Sequence, residues 1–307
     1  MTGPDGGWAL AQERARSLAA GRRLEVEHLA LSRIAGRILA SDIVQPSTSR
    51  STTETASLIL EAGQVLTPAR LALAASWGLA TLPASRKPSV AVYTVGDDLL
   101  APGLPLPPGH RFDCARQLLM GLLRAEGLEP TAWPRLPDDP AQLEIAVRDA
   151  ACAFDLVVVC GDSALRLPSP LAEVIGRFGH LESCALPDNS GCPAIFGHLD
   201  QAIVLGLPAG ALDLMASWMT VGRALIDPMQ GRREMRRRLF GQLAAPLMGA
   251  AAYAPVSVEY GEAGDVRLSP ARLSGPLEML AGSDGLAVLP DGQPRVAGDV
   301  VEVLTYA

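Results

Sequence analysis

The stretch that decides the fold is Ser89–Asp113, S-V-A-V-Y-T-V-G-D-D-L-L-A-P-G-L-P-L-P-P-G-H-R-F-D. The apolar run Val90–Tyr93 is followed by a glycine turn that carries two carboxylates, Gly96–Asp98. A loop rich in glycine and proline then leads to a helical pattern that begins near Asp113. A buried strand, a glycine turn and a helix in this order are typical of an open α/β sheet, which binds ligands at the carboxyl ends of its strands.

The apolar pattern after this stretch alternates between strands and helices. Strands are expected at Leu156–Val159 and near residues 131, 181–186 and 202–205. Helices are expected over residues 113–126, 140–153, 171–178 and 212–226. Strands that alternate with helices of about ten to fifteen residues indicate βαβ units. The sequence therefore predicts a three-layer α/β domain with a mostly parallel sheet, in which Val90–Tyr93 and Leu156–Val159 are buried.

The rest of the chain predicts two further parts. Residues 1–87 are expected to form an elongated α+β domain, with a helix over 8–34 and a Ser/Thr-rich loop between Gln45 and Leu58. Residues 88–228 are the central α/β domain. Residues 229–307 are expected to form a linker and a small β domain, because short apolar runs alternate there with Gly, Pro and Asp.

Composition excludes several classes of function. The 307 residues carry a net charge of −7, which argues against a nucleic-acid partner. No apolar run is long enough to span a membrane, and the first residues lack the pattern of a secretory signal. The five cysteines and four histidines show no metal-ligand spacing, so free thiols and no protein-bound metal are expected. The sequence therefore favours a cytoplasmic protein.

Several segments resemble the molybdopterin molybdenumtransferase family, the MoeA-like proteins. Thr94–Leu99 and Phe112–Ala115 are similar to the family's S-T-G-D-E-L and Y-D-x-N motifs. Gly36–Val44 is similar to G-R-x-L-A-x-D-x-V, and Ser274–Val303 is similar to the last domain. The resemblance covers nearly the whole chain, from about Leu29 to Val303. It implies a role in molybdenum cofactor biosynthesis, with molybdopterin as the ligand, and it is compatible with magnesium as a cofactor.

The resemblance also implies a site at the ends of the strands. Asp97, Asp98 and Asp139 would be catalytic, and the pterin would contact Thr94, Gly96, Asp113, Gly161, Ser163, Gly191, Pro193, Gly206, Pro208 and Gly210. The turns at Gly96–Asp98, Gly161–Ser163, Ser190–Pro193 and Gly206–Gly210 are expected at one edge of the sheet. A backbone nest before the last helix could hold an anion. Active members resemble two-fold dimers, so a homodimer is expected, with a partner from cofactor biosynthesis or a molybdoenzyme.

The chain departs from the family pattern at polar positions. Val95 replaces a threonine, Cys192 a lysine and Gly210 an asparagine, and Ser169 stands near a missing acid. A short loop stands where active members have an inserted domain that opens with S-A-M-D-G-Y-A. We therefore expect weakened or absent insertion of molybdate, whether or not the pterin binds.

Simpler interpretations stay open for the same residues. Asp113, and the pair Asp138–Asp139, stand before helices, where capping is the favoured interpretation. Asp97 and Asp98 fit a site or a turn equally well. The arginines of residues 232–238 fit a solvated surface better than a phosphate grip. Three hypotheses remain: a transferase-like enzyme, a non-catalytic binder of the pterin or of a delivery partner, and a protein-interaction scaffold derived from this family.

Overall fold

The computed structural model describes residues 5–44, 58–186, 192–247, 252–261, 264–271, 275–289 and 293–306. The chain forms two compact units. The larger comprises Met1–Ala15, Ser89–Arg223 and Arg237–Ala307, and the smaller comprises Arg16–Pro88 and Ala224–Arg236. The division into residues 1–87, 88–228 and 229–307 stays a prediction. In the ranges described, no helix has both the length and the apolar character of a membrane span.

The first elements include those of the smaller unit. In chain order they are α1 (Asp5–Ala20), β1 (Val26–Ala30), β2 (Ile43–Val44), β3 (Leu58–Leu60), α2 (Pro68–Ser76) and β4 (Thr81–Ser85). Strand β1 pairs antiparallel with β4, and β2 with β3. The helix expected over residues 8–34 is wrong beyond Ala20, because Val26–Ala30 pairs with a strand more than fifty residues further on. The predicted Ser/Thr-rich loop lies outside the described residues.

A six-stranded sheet forms the middle layer of the larger unit. The strands of this region are β5 (Val90–Thr94), β6 (Leu99–Leu100), β7 (Arg111–Phe112), β8 (Pro130–Ala132), β9 (Leu156–Cys160), β10 (Gly179–Cys184), β11 (Ala194–Leu199) and β12 (Ala202–Leu207). The sheet order is β10-β11-β12-β9-β5-β8, with β12, β9, β5 and β8 parallel. Strands β10 and β11 are antiparallel additions at one side. The predicted α/β class is therefore confirmed.

Helices cover both faces of this sheet. They are α3 (Cys114–Ala125), α4 (Pro140–Ala151), α5 (Asp162–Leu165), α6 (Pro170–Phe178) and α7 (Ala211–Ser217). A π-helical segment, Trp218–Gly222, and α8 (Arg223–Met229), which lies mostly in the smaller unit, follow α7 in the chain. Leu143 and Val147 of α4 pack with Tyr93 and Val159 in one core cluster. Helix α3 packs against β5 and β8 and contacts α7. Because helices cover both faces, β5 and β9 are buried along their whole length, as their continuous apolar runs predict.

A small closed barrel follows the α/β region. Its elements are β13 (Leu239–Leu243), β14 (Tyr253–Tyr260), β15 (Val266–Pro270), α9 (Pro276–Ala281), β16 (Gly285–Val288) and β17 (Val300–Thr305). The strands close in the order β13-β15-β14-β16-β17. Val256, Leu268 and Ala287 are fully buried inside it. The small C-terminal β domain predicted from the sequence is confirmed.

Candidate functional site

The parallel strands bring the predicted turns to one edge of the sheet. Thr94 at the end of β5 is paired with Cys160 at the end of β9, which is paired with Leu207 at the end of β12. The loop before β11 reaches the same edge, because Ile195 is paired with Gly206. We call this side, formed by the turns Gly96–Asp98, Gly161–Ser163, Cys192–Pro193 and Pro208–Gly210, the strand-end edge. Gly191 lies outside the described residues.

Two neighbouring turns of this edge are in direct backbone contact. Val95 donates its N–H to the carbonyl of Cys160 at 2.9 Å, and Gly161 donates to the carbonyl of Leu207 at 3.0 Å. A Cβ at Gly161 would lie 2.7 Å from the carbonyl oxygen of Val95. The turns after β5 and β9 therefore pack so closely that only glycine fits at position 161.

Two arginines hold the Gly96–Asp98 turn. Nη1 of Arg135 donates to the carbonyl of Gly96 at 2.7 Å, and Nε of Arg111 donates to Oδ2 of Asp98 at 2.6 Å. The hydrogen bond from Arg111 lowers the pKa of Asp98 below its ordinary value. Gly96 has φ +153°, a backbone conformation that side chains disfavour. The resulting turn carries carboxylates with guanidinium groups beside them.

Asp97 belongs to a second network of the same turn. Its N–H donates to Oδ2 of Asp138 at 3.3 Å, and the N–H of Asp138 donates to Oδ1 of Asp97 at 3.4 Å. The hydroxyl of Ser163 donates to the other oxygen of Asp138. Asp138 thus links the turns after β5 and β9. The residue predicted from the sequence to act in this site is its neighbour Asp139.

Asp139 and Asp113 cap helices. Asp139 accepts the N–H of Ala141 at the start of α4, and Asp113 accepts the N–H of Arg116 at the start of α3. The side chain of Asp113 also binds Nε of Arg116 at 3.0 Å and the hydroxyl of Thr94 at 2.6 Å. Thr94 and Asp113 are therefore buried and already bonded to protein groups, so the capping interpretation holds for both aspartates.

The side of the edge beside β11 and β12 is mainly apolar. Pro193, Gly206 and Pro208 line a small pocket, together with Leu186, Cys192, Ala194, Leu205, Leu207, Ser217 and Val221. Ser217 is 3% exposed, and its hydroxyl has no hydrogen-bond partner in the described part of the chain. The cavity volume of this pocket is about 10 Å³, which is close to the minimum that holds one water molecule.

The backbone nest predicted before α7 is partly occupied. Ala209 donates its N–H to Oδ1 of Asp162 at 2.9 Å. A Cβ at Gly210 would lie 3.1 Å from the carboxylate of Asp213, so negative charge already lies at the start of this helix. Both features weaken the turn as an anion site. The acid missing near Ser169 has no substitute there, because the Ser169 hydroxyl caps α6 and donates to the carbonyl of Ala164 at 2.7 Å.

Among the described residues, the cysteines form no disulfide and the side chains that commonly bind metals form no metal site. All five cysteines are free thiols, and burial raises the pKa of Cys160 well above its ordinary value. The Cys160 thiol donates to the carbonyl of Pro208 at 3.4 Å. Within the described ranges, no group of three His, Cys, Asp or Glu side chains is arranged to hold a metal ion.

Arg111, Arg135, Asp138 and Asp162 are not among the catalytic or binding residues predicted from the sequence. Arg111 lies in the two-residue strand β7, Asp162 begins the short helix α5, and Arg135 and Asp138 lie between β8 and α4, so no period in the sequence shows where these side chains point. A signal existed for Asp138, because Pro140 at the first helical position marks Asp139 as the cap. The preceding aspartate was therefore available to face the turns.

Two family models match the larger unit. A probable molybdopterin binding domain matches residues 91–227, and the MoeA C-terminal region, domain IV, matches residues 243–306. These ranges cover the α/β domain and the barrel.

Curated relatives and solved structures agree with these matches. The molybdopterin molybdenumtransferase of Haemophilus influenzae is 29% identical over 59% of this chain and 45% of its own length. Molybdopterin molybdenumtransferase 2 of Mycobacterium tuberculosis is 26% identical over 80% of this chain and 61% of its own. The chain thus spans about half the length of the curated relatives it matches. The molybdopterin biosynthesis MoeA protein of Pyrococcus horikoshii has the same fold, with a TM-score of 0.80, 18% identity, and coverage of 98% of this chain and 99% of that one. The chain therefore belongs to the MoeA family.

Proposed function

We propose that this protein binds molybdopterin at the strand-end edge, as part of molybdenum cofactor biosynthesis, and inserts molybdate weakly or not at all. The observation that carries the proposal is the meeting of the Gly96–Asp98, Gly161–Ser163 and Pro208–Gly210 turns at the ends of three parallel strands. Open α/β sheets bind their ligands at this place. The relatives named above are transferases for molybdopterin, which supports the choice of ligand.

The charges at the edge support weak insertion. Four carboxylates, those of Asp97, Asp98, Asp138 and Asp162, stand near two guanidinium groups. Asp97 is 71% exposed, so its charge faces an approaching anion directly. Molybdate is an anion and would be repelled unless a cation accompanied it. Magnesium binds through one or two carboxylates and substrate phosphate oxygens, and Asp97 and Asp138 would be its protein ligands.

The proposal includes a homodimer in the cytoplasm. The smaller unit exposes apolar side chains at α2 and directly after it, where Leu73 and Trp77 are each about two-fifths exposed. Covering such side chains is a usual reason for symmetric pairing. The free thiol of Cys152 is exposed, which suits a reducing compartment. Light scattering at high micromolar concentration checks the dimer, and a monomer there would contradict it.

A two-step assay tests the function. Purified protein is incubated anaerobically with molybdopterin or its adenylylated form, and the bound pterin is measured after ultrafiltration. Molybdate is then added to the complex in a single turnover, with an active family member as the positive control. We expect pterin binding without insertion at the control's rate. Robust insertion would show an active enzyme, and failure to bind either pterin would leave the interaction scaffold as the function.

A further inference from the structure

Two arginines, one in β7 and one in the loop after β8, approach the same three-residue turn. Arg135 binds the carbonyl of Gly96, and Arg111 binds the carboxylate of Asp98. A Cβ at Gly96 would lie 3.1 Å from Oδ1 of Asp98, so this carboxylate lies directly over Gly96. Both guanidinium groups are therefore held against the same turn at the end of β5.

Both arginines keep donors available. A guanidinium group has five N–H donors, and each of these two makes one hydrogen bond shorter than 3.0 Å to the turn. Nη1 and Nη2 of Arg111, and Nε and Nη2 of Arg135, bind nothing else in the described part of the chain. The side chains are 54% and 37% exposed. Each is thus held in position by the turn while its remaining donors can reach a ligand.

The charges around these donors select the ligand. Asp97 and Asp138 lie beside the same turn and weaken the binding of a simple anion without abolishing it, whereas a carboxylate accepts N–H donors well. A ligand with an oxyanion at one end and N–H donors at the other matches both kinds of group. A phosphorylated pterin has this chemistry, whereas molybdate brings negative charge without N–H donors.

We infer that Arg111 and Arg135 form an oxyanion subsite that takes a phosphate monoester of the ligand. This inference rests on the proposed pterin function and deepens it. Cys192 stands where the family pattern has a lysine. The two arginines supply positive charge in place of that lysine, from the opposite side of the strand-end edge. Arginine suits the task because its planar donors match the oxygens of a phosphate.

The test compares two pterins that differ in one group. One carries a phosphate monoester on its side chain at position 6, and the other carries a free hydroxyl there. Binding is followed by pterin fluorescence at low and high salt. We expect the phosphate to raise affinity about tenfold at low salt and less at high salt.

Matched variants show whether the arginines cause this difference. Arg111→Gln and Arg135→Gln should each remove most of the phosphate effect, and the double variant should remove all of it. The affinity for the hydroxyl pterin should stay within about twofold, because the arginines contribute only through the phosphate. Arg267→Gln is the control. Arg267 is 63% exposed and binds Oδ2 of Asp265 through its Nε at 2.8 Å, the same geometry as Arg111 with Asp98.

The outcomes separate failure of the subsite from failure of the function. If the wild type binds both pterins equally, or if the variants lose both ligands together, the subsite is wrong although pterin binding stands. If neither pterin binds, the proposed function fails, and binding of inorganic phosphate then tests the subsite by itself. Broadening of the phosphate ³¹P resonance by the wild type, lost in the double variant, would keep the arginine pair as an oxyanion site. No broadening would overturn it.

Discussion

The turns after β5 and β9 carry charged side chains, whereas the described residues of the turns beside β11 and β12, Cys192–Pro193 and Pro208–Gly210, carry none, although all of them meet at one edge of one sheet. Asp97, Asp138 and Ser163 form a continuous network on the first side. The second side has a pocket in which Ser217 is a hydroxyl without a partner among the described residues. One edge of one sheet can therefore combine two halves of different chemistry, because the fold sets where the turns meet and not which side chains they carry. Four substitutions test how far this difference extends.

The largest expected effect is on the charged side, at Asp113. Its carboxylate is buried and accepts from Arg116, Thr94 and the start of α3. Asp113→Ala would leave the guanidinium of Arg116 without its buried partner, so the free energy of unfolding should fall by about 3 kcal/mol. Urea denaturation measures it. Asp265→Ala, at an exposed ion pair of the barrel, is the control and should change stability by less than about 0.5 kcal/mol. A small loss at Asp113 would show that the charged side has no buried ionic core.

The second effect concerns the boundary between the two sides, at Gly161. Its missing side chain allows the carbonyl of Val95 to approach, so Gly161→Ala should cost about 2 kcal/mol through overpacking against backbone. Gly121→Ala is the matched control on the exposed face of α3, where a Cβ meets no atom within 4 Å. That change should stabilise the protein by about 1 kcal/mol, because alanine favours the helix. Thermal unfolding of both variants checks the opposite signs, and equal shifts would contradict the close contact of the turns.

On the apolar side, Ser217→Ala should change the stability of the protein differently from a control substitution at the nearby Thr220. Removing a buried hydroxyl that has no partner should leave stability unchanged or raise it by up to about 1 kcal/mol. Thr220→Val removes a hydroxyl that donates to the carbonyl of Ala216 at 2.6 Å, so it should cost about 1 kcal/mol. Chemical denaturation of the two variants compares them directly. A loss at Ser217 as large as that at Thr220 would mean that the apolar side contains a bonded polar group after all.

The smallest effect is the pH dependence of the Asp98–Arg111 pair. The pKa of Asp98 is lowered in the folded state, so the pair stabilises the protein above the ordinary carboxyl pKa of 3.8. This contribution is lost as the pH falls through the lower folded pKa. Because both side chains are largely exposed, Asp98→Asn should cost less than about 0.5 kcal/mol at pH 7. Unfolding measurements from neutral to acidic pH should show the difference between the two proteins shrink below pH 3.8 and vanish below the folded pKa of Asp98, and a difference that grows there would reverse the sign.

Much of the fold could be predicted because its signals are local. The runs that form β5 and β9 are apolar throughout, since helices cover both faces of the sheet. Strand β1 was mistaken for helix, because its pairing with β4 depends on residues far along the chain. Strands β11 and β13 were missed for a similar reason, since glycines and polar residues interrupt their apolar pattern.

The candidate site divides in the same way. The turn positions at Gly96, Gly161 and Gly206 could be found because each follows or ends a strand, and parallel strands end at one edge. The direction of each carboxylate could not be found from the sequence. Asp138 faces Ser163 while Asp139 caps α4, although the two are neighbours in the chain.

The sequence by itself determined the α/β class and the family, and it predicted the sheet edge at which the turns meet, because periodicity and motif spacing are local properties of the chain. Only the tertiary structure decided which side chains meet at that edge. Arg111 and Arg135 are 24 positions apart and reach one turn from two different segments, and no sequence repeat links their positions to the direction of their side chains. Hydrogen bonds between segments that are distant in the sequence determine those directions.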